Sequence, residues 1–289
     1  MLTRDVVGLD GRGGLGGTAS GILTPLMRAL GAASLGRDGT RVLARLDCRP
    51  PACTVDGSAV DLRAVAALLD HVGGAAVYAA IPGLQGTATL ELRLDIVGAP
   101  VPGQAVFARA ECTSLEAGSA LVLGTAWCGD ATAATMPVAR LTGRFVVGVG
   151  PGQVPGAEDR HRREARAAAH VPVIAPAADC FDALLGGTVD GTAFLLPGAP
   201  WLVGSIALPA LHGGTVAAGL MQAARQAAAV APGLALKSLG VQYLRASHVE
   251  ETRFGASVVK RGQRAAYIDA EATQRQGERR VARMQCLYA

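Results

Sequence analysis

His212-Gly213-Gly214 stands directly before an apolar segment with helical spacing. Backbone N–H groups at a helix start, with the helix dipole behind them, stabilise negative charge, and a glycine has no Cβ to block a ligand. Such a turn suits the oxyanion that forms when a carbonyl is attacked. From Thr215 to Gln226, however, the sequence contains no Asp, Glu or Lys. A group that activates a nucleophile must therefore come from elsewhere in the chain.

Composition excludes several classes of protein. Of the 289 residues, 50% are hydrophobic and 17% charged, which supports a sizeable core. The net charge is +4 with 4% aromatic residues, and the basic residues are scattered, so no nucleic-acid partner is expected. Uncharged apolar runs fall short of the ~20 residues of a membrane span. The N-terminus lacks a signal-peptide core, so we expect a cytoplasmic protein without a membrane partner.

The six cysteines form no C-x-x-C pair. Free thiols are therefore expected, and no metal site is predicted.

The order of predicted elements occurs twice. A helix is predicted over Asp61–Ala80 and another over about Gly213–Ala229, each followed by strands with alternating hydrophobicity. The first copy has strands over Thr87–Gly98, Gly103–Leu115, Ser119–Asp130 and Pro137–Gly148; the second has Lys237–Ser247, a hairpin over Thr252–Thr273 and a closing strand. This repetition indicates an internal duplication.

The segments outside the two copies are less regular. "GILTPLMRALGAASLG" predicts an N-terminal helix, and a leading strand is expected before each main helix. Gly150–Asp179 is rich in Gly, Pro and charge, which is typical of a linker with one short polar helix. We therefore predict an N-terminal domain over residues 1–149, a linker over 150–178 and a C-terminal domain over 179–289.

One long apolar helix followed by antiparallel strands indicates an α+β layer, a sheet wrapped around a central helix. This arrangement resembles the hotdog fold, and two tandem copies resemble the double-hotdog acyl-CoA thioesterases. The phenylacetate-pathway (PaaI-like) pattern fits best, because it has His-Gly-Gly opening the helix and an acid nine residues after the His. "YLRAS" also resembles the strand-end "YLRPA" of that family. The resemblance covers about Asp61–Gly148 and Ser205–Ala289.

Applied to both copies, this pattern yields two complementary halves. In the second copy Met221 takes the position of the acid, whereas in the first copy the acid is Asp70. The first copy has Asp61-Leu62-Arg63 in place of His-Gly-Gly. Nine helical residues turn through ~900°, which puts the glycine turn and an acid of one helix on opposite sides. The site is therefore expected across two helices, from Asp70 and His212-Gly213-Gly214. The second possible combination, Met221 with Asp61-Leu62-Arg63, has neither the acid nor the glycine turn.

The resemblance implies hydrolysis of acyl-CoA, or of acyl-carrier-protein thioesters, without a cofactor. Gly213 and Gly214 are expected to hold the oxyanion, and Asp70 to act as general base or as nucleophile. Thr89 falls where the family often has a Ser or Thr that positions water. For His212 we expect the backbone to matter more than the imidazole.

Three cations flank a predicted turn, namely Lys260, Arg261 and Arg264. They are candidates for binding the phosphates of CoA, and the alternative is a solvated hairpin tip. The Asn that many relatives carry six residues before the His is replaced by Ile206, so the substrate-orienting role of that Asn has no counterpart here.

Two further functions stay open. The first is a non-hydrolytic or degenerate thioester-binding protein of a biosynthetic or catabolic pathway. A hotdog dehydratase is weaker, because its paired His and acid motif is not found. A homo-oligomer is expected, since a fused pair leaves sheet edges and faces exposed.

Overall fold

The computed structural model describes residues 23–84, 86–132, 135–148, 173–205, 210–229 and 233–289. The first half of the chain contains two helices and six strands within these ranges. They are α1 Pro25–Ala29, β1 Ala33–Asp38, β2 Arg41–Leu46, α2 Leu62–Ala80, β3 Thr87–Ile96, β4 Val106–Glu116, β5 Ser119–Cys128 and β6 Met136–Val147.

The second half repeats this order. Its elements are α3 Phe181–Leu185, β7 Thr188–Asp190, β8 Ala193–Leu196, β9 Val203–Ser205, β10 Ala210–Leu211, α4 Gly213–Ala228, β11 Leu236–Tyr243, β12 Thr252–Arg261, β13 Ala266–Gln274 and β14 Arg279–Tyr288. The short β9 and β10 pair with each other as an additional ribbon before α4. The repeat in the structure thus begins earlier than the sequence pattern showed, at α1 and α3.

Twelve strands of the described ranges form one antiparallel sheet in the order β1-β2-β4-β5-β6-β3-β11-β14-β13-β12-β8-β7. The halves meet at β3 and β11, where Leu92 lies opposite Val241. Outward from this seam both halves run through the same succession of strands. Because β3 and β11 are antiparallel, the beginning of one lies beside the end of the other.

The two long helices α2 and α4 contact each other and pack against the sheet. Both are apolar with helical spacing, and their buried residues form one continuous core with inward-facing residues of the strands. Each helix begins at a side-chain cap. The Asp61 carboxylate accepts from the Arg63 N–H at 2.8 Å, and the His212 imidazole accepts from the Gly214 N–H at 2.9 Å. The caps fix where each helix starts.

The short helices connect the halves a second time. Helix α1 contacts the turn Pro200–Leu202 and β9 of the second half. In the other direction, the Phe181 N–H at the start of α3 donates to the Cys53 carbonyl of the first half at 2.9 Å. The short helix at the start of each repeat therefore contacts the other repeat.

One predicted segment differs from the structure, and another lies mostly outside the described residues. The predicted N-terminal helix is wrong beyond Ala29, because Gly31 adopts a φ of 69° and Ala33–Asp38 continues as a strand. The predicted linker falls mostly on residues 149–172, which lie outside the described residues. None of the helices in the described ranges is long and apolar enough to span a bilayer.

Candidate active site

Asp70 lies in the middle of α2 and meets the start of α4. Its side chain is only 4% exposed. Oδ1 accepts a hydrogen bond from the Thr89 hydroxyl at 2.7 Å, and Oδ2 accepts from the Gly214 N–H at 2.9 Å. The structure therefore brings Asp70, Thr89 and the His-Gly-Gly turn together, although 144 residues separate Asp70 from Gly214.

The two glycines permit this close approach. A Cβ on Gly213 would lie 2.7 Å from Oδ2 of Asp70. A Cβ on Gly214 would lie 2.4 Å from the Cα of Ala67, inside any allowed contact with the α2 backbone. The glycines thus let the Gly214 N–H of one helix reach a carboxylate on the other helix, where a side chain would hold the helices apart.

His212 contributes its imidazole to the site. Its Nδ1 accepts from the Gly214 N–H at 2.9 Å and lies 3.2 Å from Oδ2 of Asp70. One N–H is therefore shared between an imidazole nitrogen and a carboxylate oxygen. The sequence expectation stressed the backbone of His212, whereas in the structure the imidazole itself caps the helix.

Burial dominates the electrostatics of these groups. It raises the pKa of Asp70 to about 6, although the hydrogen bonds from Thr89 and Gly214 act in the opposite direction. It lowers the pKa of His212 to about 4, so this imidazole is neutral near pH 7. A neutral imidazole that accepts at Nδ1 carries its proton on Nε2. The site at neutral pH thus contains one carboxylate of enhanced basicity.

His71 lies beside the candidate site. Its ring centroid is 6.2 Å from that of His212. Burial and the neighbouring His212 lower its pKa to about 3, so His71 is also neutral near pH 7. His71 lies beside the His212 cap and, within the described residues, forms no hydrogen bond with Asp70.

A residue that the sequence reasoning missed completes the site. Tyr243, the last residue of β11, donates its hydroxyl to the Gly213 carbonyl at 2.9 Å. Within the described residues the N–H of Gly213 has no acceptor, and it stands at the first position of α4. A helix-start donor is thus available one residue before the N–H that binds Asp70. The only sequence signal for Tyr243 was its position in "YLRAS".

The start of α2, where the second candidate site would lie, contains a salt-bridge network. The buried Arg63 guanidinium contacts Asp61 Oδ2 at 2.6 Å, Asp182 Oδ1 at 2.6 Å and Gln222 Oε1 at 2.8 Å. It also lies 5.4 Å from the ring centroid of Phe181. Beside this network Met221 is part of the apolar core.

The three cations of the predicted hairpin lie at the other end of the sheet. Across neighbouring strands, Arg261 lies opposite Ala266, Ala266 lies opposite Tyr288, and Tyr288 lies opposite Leu236 at the start of β11. Tyr243, at the candidate site, is seven residues farther along β11, which corresponds to about 23 Å. The structure therefore does not bring Lys260, Arg261 and Arg264 to Asp70. Ile206, at the position of the expected Asn, lies outside the described residues.

Comparison with known proteins adds two findings. Residues 200–289 match the family model for the acyl-CoA thioesterase N-terminal domain. No curated protein matches the sequence.

Solved structures of similar fold cover most of the chain. The 12:0-ACP thioesterase from Umbellularia californica has a TM-score of 0.56 at 12% identity and covers 87% of this chain and 94% of its own. The tesB protein of Mycobacterium avium subspecies paratuberculosis has a TM-score of 0.55 at 12% identity, covering 91% and 97%. An acyl-ACP thioesterase from Bacteroides thetaiotaomicron has a TM-score of 0.55 at 9% identity, covering 86% and 98%.

At these identities the solved structures establish the fold, and the model match over residues 200–289 connects that fold to thioesterases. The described chain therefore has the fold of these thioesterases, and its residues 200–289 resemble the acyl-CoA thioesterase N-terminal domain.

Proposed function

We propose that the protein hydrolyses acyl-CoA thioesters to the free acid and CoA at one composite site between its halves. In this proposal the chain is a tandem of two hotdog units of the PaaI-like type, one over residues 1–149 and one over 179–289. The observation that carries the proposal is the contact of the Asp70 carboxylate with the N–H of Gly214 at 2.9 Å. This contact places a carboxylate that can act as a base beside the start of α4, where N–H groups can stabilise an anion.

The chemistry follows from these two parts. The carbonyl oxygen of the thioester binds at the start of α4, where the Gly213 N–H and the helix dipole stabilise the negative charge that attack creates. Asp70 takes a proton from water, which attacks the carbonyl carbon. The tetrahedral intermediate then collapses, the carbon–sulfur bond breaks, and the thiolate takes up the proton from Asp70. If Asp70 attacks the carbonyl itself, water hydrolyses the resulting anhydride.

Thr89 has a defined place in this scheme. Its hydroxyl donates to one carboxylate oxygen and so fixes the orientation of Asp70. Each carboxylate oxygen has a further lone pair, which leaves Asp70 able to accept a proton while both hydrogen bonds persist. Nδ1 of the neutral His212 lies 3.2 Å from Oδ2, so its single lone pair accepts either the Gly214 N–H or the O–H of the protonated carboxyl group.

Basic residues near the site support a substrate with phosphate groups. Arg245 follows Tyr243 by two residues, which is at most about 7 Å of extended chain. The carbonyl of Ser247 accepts from the N–H of Leu211 at 2.8 Å, so this segment runs beside the residue that precedes His212.

Arg245 and a second arginine from β14 are attached to the same backbone region. Arg245 Nη1 donates to the Arg280 carbonyl at 2.8 Å, and Arg279 Nη2 donates to the Ala246 carbonyl at 2.8 Å. Neither guanidinium pairs with a carboxylate in the described part of the chain. Their other N–H donors suit the phosphates of CoA or of the phosphopantetheine of an acyl carrier protein. They replace the distant hairpin cations as candidates for this contact.

The test is hydrolysis of a panel of aliphatic and aromatic acyl-CoA thioesters by the wild type and by Asp70→Asn. Acyl-pantetheine and acyl carrier protein substrates, measured in parallel, identify the carrier. We expect turnover by the wild type and a loss of at least about a thousandfold in the variant, because Asn accepts no proton at this position. Binding of acyl-CoA without turnover by the wild type would favour the non-hydrolytic alternative. Full activity of the variant would exclude Asp70.

Stability provides the control for folding of Asp70→Asn. The folded-state pKa of Asp70, about 6, lies above its ordinary value of 3.8. The buried charge therefore destabilises the wild type above pH 6, and this penalty vanishes below the ordinary value. The variant should unfold at a higher temperature than the wild type in alkaline buffer, and the difference should disappear in acid. A variant that is less stable at every pH would show that the substitution damages the fold.

A further inference from the structure

Tyr243 acts on the candidate site through one peptide group. Its hydroxyl donates to the carbonyl of Gly213 at 2.9 Å. The N–H of that same peptide group belongs to Gly214, which donates to Oδ2 of Asp70 and to Nδ1 of His212, both at 2.9 Å. Tyrosine hydroxyl, peptide and carboxylate thus form a continuous series of hydrogen bonds in which every donor has an acceptor.

Such a series has a directional effect. A hydrogen bond to a peptide carbonyl polarises the group and strengthens its N–H as a donor, and the effect is larger in the low dielectric of a buried site. A stronger Gly214 N–H stabilises the ionised form of Asp70. The same hydrogen bond fixes the orientation of the peptide at the first turn of α4, where the two glycines alone would leave the backbone permissive.

We propose that Tyr243 is a positioning residue that tunes the basicity of Asp70 and orders the start of α4 through the Gly213–Gly214 peptide. This inference rests on the proposed function, because it assigns Tyr243 a part in the same site. Within the described residues Tyr243 forms no hydrogen bond with Asp70, so it acts through the peptide group and is not itself a catalytic residue.

The state of the tyrosine agrees with this role. Burial and the nearby charge of Asp70 raise the pKa of Tyr243 well above its ordinary value. The hydroxyl therefore stays protonated, and remains a donor, over the whole range in which Asp70 titrates. The Gly213 carbonyl has two lone pairs, so it can accept from Tyr243 in addition to the hydrogen bond of the helix.

The experiment replaces Tyr243 by Phe and measures two quantities, the acid limb of kcat/KM against pH and the titration of Asp70 by NMR of carbon-labelled aspartate. Loss of the hydroxyl should raise the pKa of Asp70 by roughly half a unit and lower kcat several-fold, with little change in KM. Tyr243→Met, which also lacks the donor, should show the same direction of shift. Thermal unfolding confirms that each variant is folded.

Tyr288→Phe is the matched control, because Tyr288 is a buried tyrosine of the same sheet that pairs with Leu236 at the far end of β11. It should leave the Asp70 titration unchanged. An unchanged pKa of Asp70 in both Tyr243 variants, or an equal shift in Tyr288→Phe, would overturn the inference. The NMR titration needs no turnover, so it distinguishes failure of this inference from failure of the proposed hydrolysis.

Discussion

The starts of α4 and α2 occupy matching positions in the two repeats but have opposite contents. At α4, glycines let the Gly214 N–H approach a carboxylate of the other helix. At α2, the side chain of Arg63 fills the corresponding space and joins carboxylates from two segments. The first arrangement leaves a buried charge with raised basicity, and the second neutralises its charges by pairing. The comparison shows how one repeated order of elements accommodates a buried carboxylate of raised pKa at one helix start and a salt-bridge network at the other.

The largest effect on turnover among substitutions at the two helix starts is expected for Gly214→Ala. Its Cβ would lie 2.4 Å from the Cα of Ala67, so α4 must move away and Asp70 loses its N–H donor. We expect kcat to fall on the order of 10²–10³-fold, because the movement of α4 also carries the Gly213 N–H, the oxyanion donor of the proposed mechanism, away from Asp70. Gly240→Ala is the control, because its Cβ meets nothing within 4 Å. Near-normal turnover by Gly214→Ala would show that the close approach of the helices is dispensable.

The pH dependence of the wild type is the next effect in size. Asp70 must be ionised to accept a proton, and its pKa is about 6. We therefore expect kcat/KM to be constant above this pH and to fall about tenfold per unit below it. The measurement is the pH profile of kcat/KM with a soluble acyl-CoA. A midpoint near 3.8, the ordinary value, would mean that Asp70 is exposed or is not the group that titrates.

The smallest effect on turnover is expected at the start of α2. Arg63→Met removes a guanidinium that pairs with buried Asp61 and with Asp182, which should lower the free energy of unfolding by about 3–5 kcal/mol. The folded variant should hydrolyse substrate at the wild-type rate, since Arg63 is not part of the Asp70 site. Urea denaturation and steady-state kinetics measure the two quantities separately.

Arg93→Met provides the matched control for this substitution. The pair of Arg93 with Asp95 is exposed, so its loss should change the free energy of unfolding by less than about 1 kcal/mol. If the folded Arg63→Met variant also loses kcat, the two helix starts are coupled. The contrast between a site at α4 and a purely stabilising network at α2 would then be wrong.

Local patterns were sufficient for the main elements and for the central pair of residues. Helical spacing predicted α2 and α4 to within a residue, and alternation predicted the four strands that follow each long helix. Before each long helix the sequence predicted one leading strand, whereas the main sheet has two. The pairing of Asp70 with the glycine turn followed from helix geometry and the family resemblance, and the structure brings the two into contact.

What the sequence could not provide depends on contacts between distant segments. Arg63 meets Asp182 across 119 residues, and no periodicity indicates that contact. Tyr243 reaches the Gly213 carbonyl only because β11 ends beside the start of α4. The position of the hairpin cations depends on strand direction and register, which place the turn after Arg261 at the end of the sheet opposite Asp70.

The seam between β3 and β11 has a consequence for how the site assembles. Both contributing helices belong to one chain and pack on one continuous sheet. Bringing Asp70 to Gly214 is therefore an intramolecular step with a high effective concentration. A site shared between separate subunits is lost when dilution dissociates them. Here the site should survive dilution, with specific activity independent of protein concentration, and the helix start that holds Arg63 can differ from the one that holds Gly214 without a partner chain that must match it.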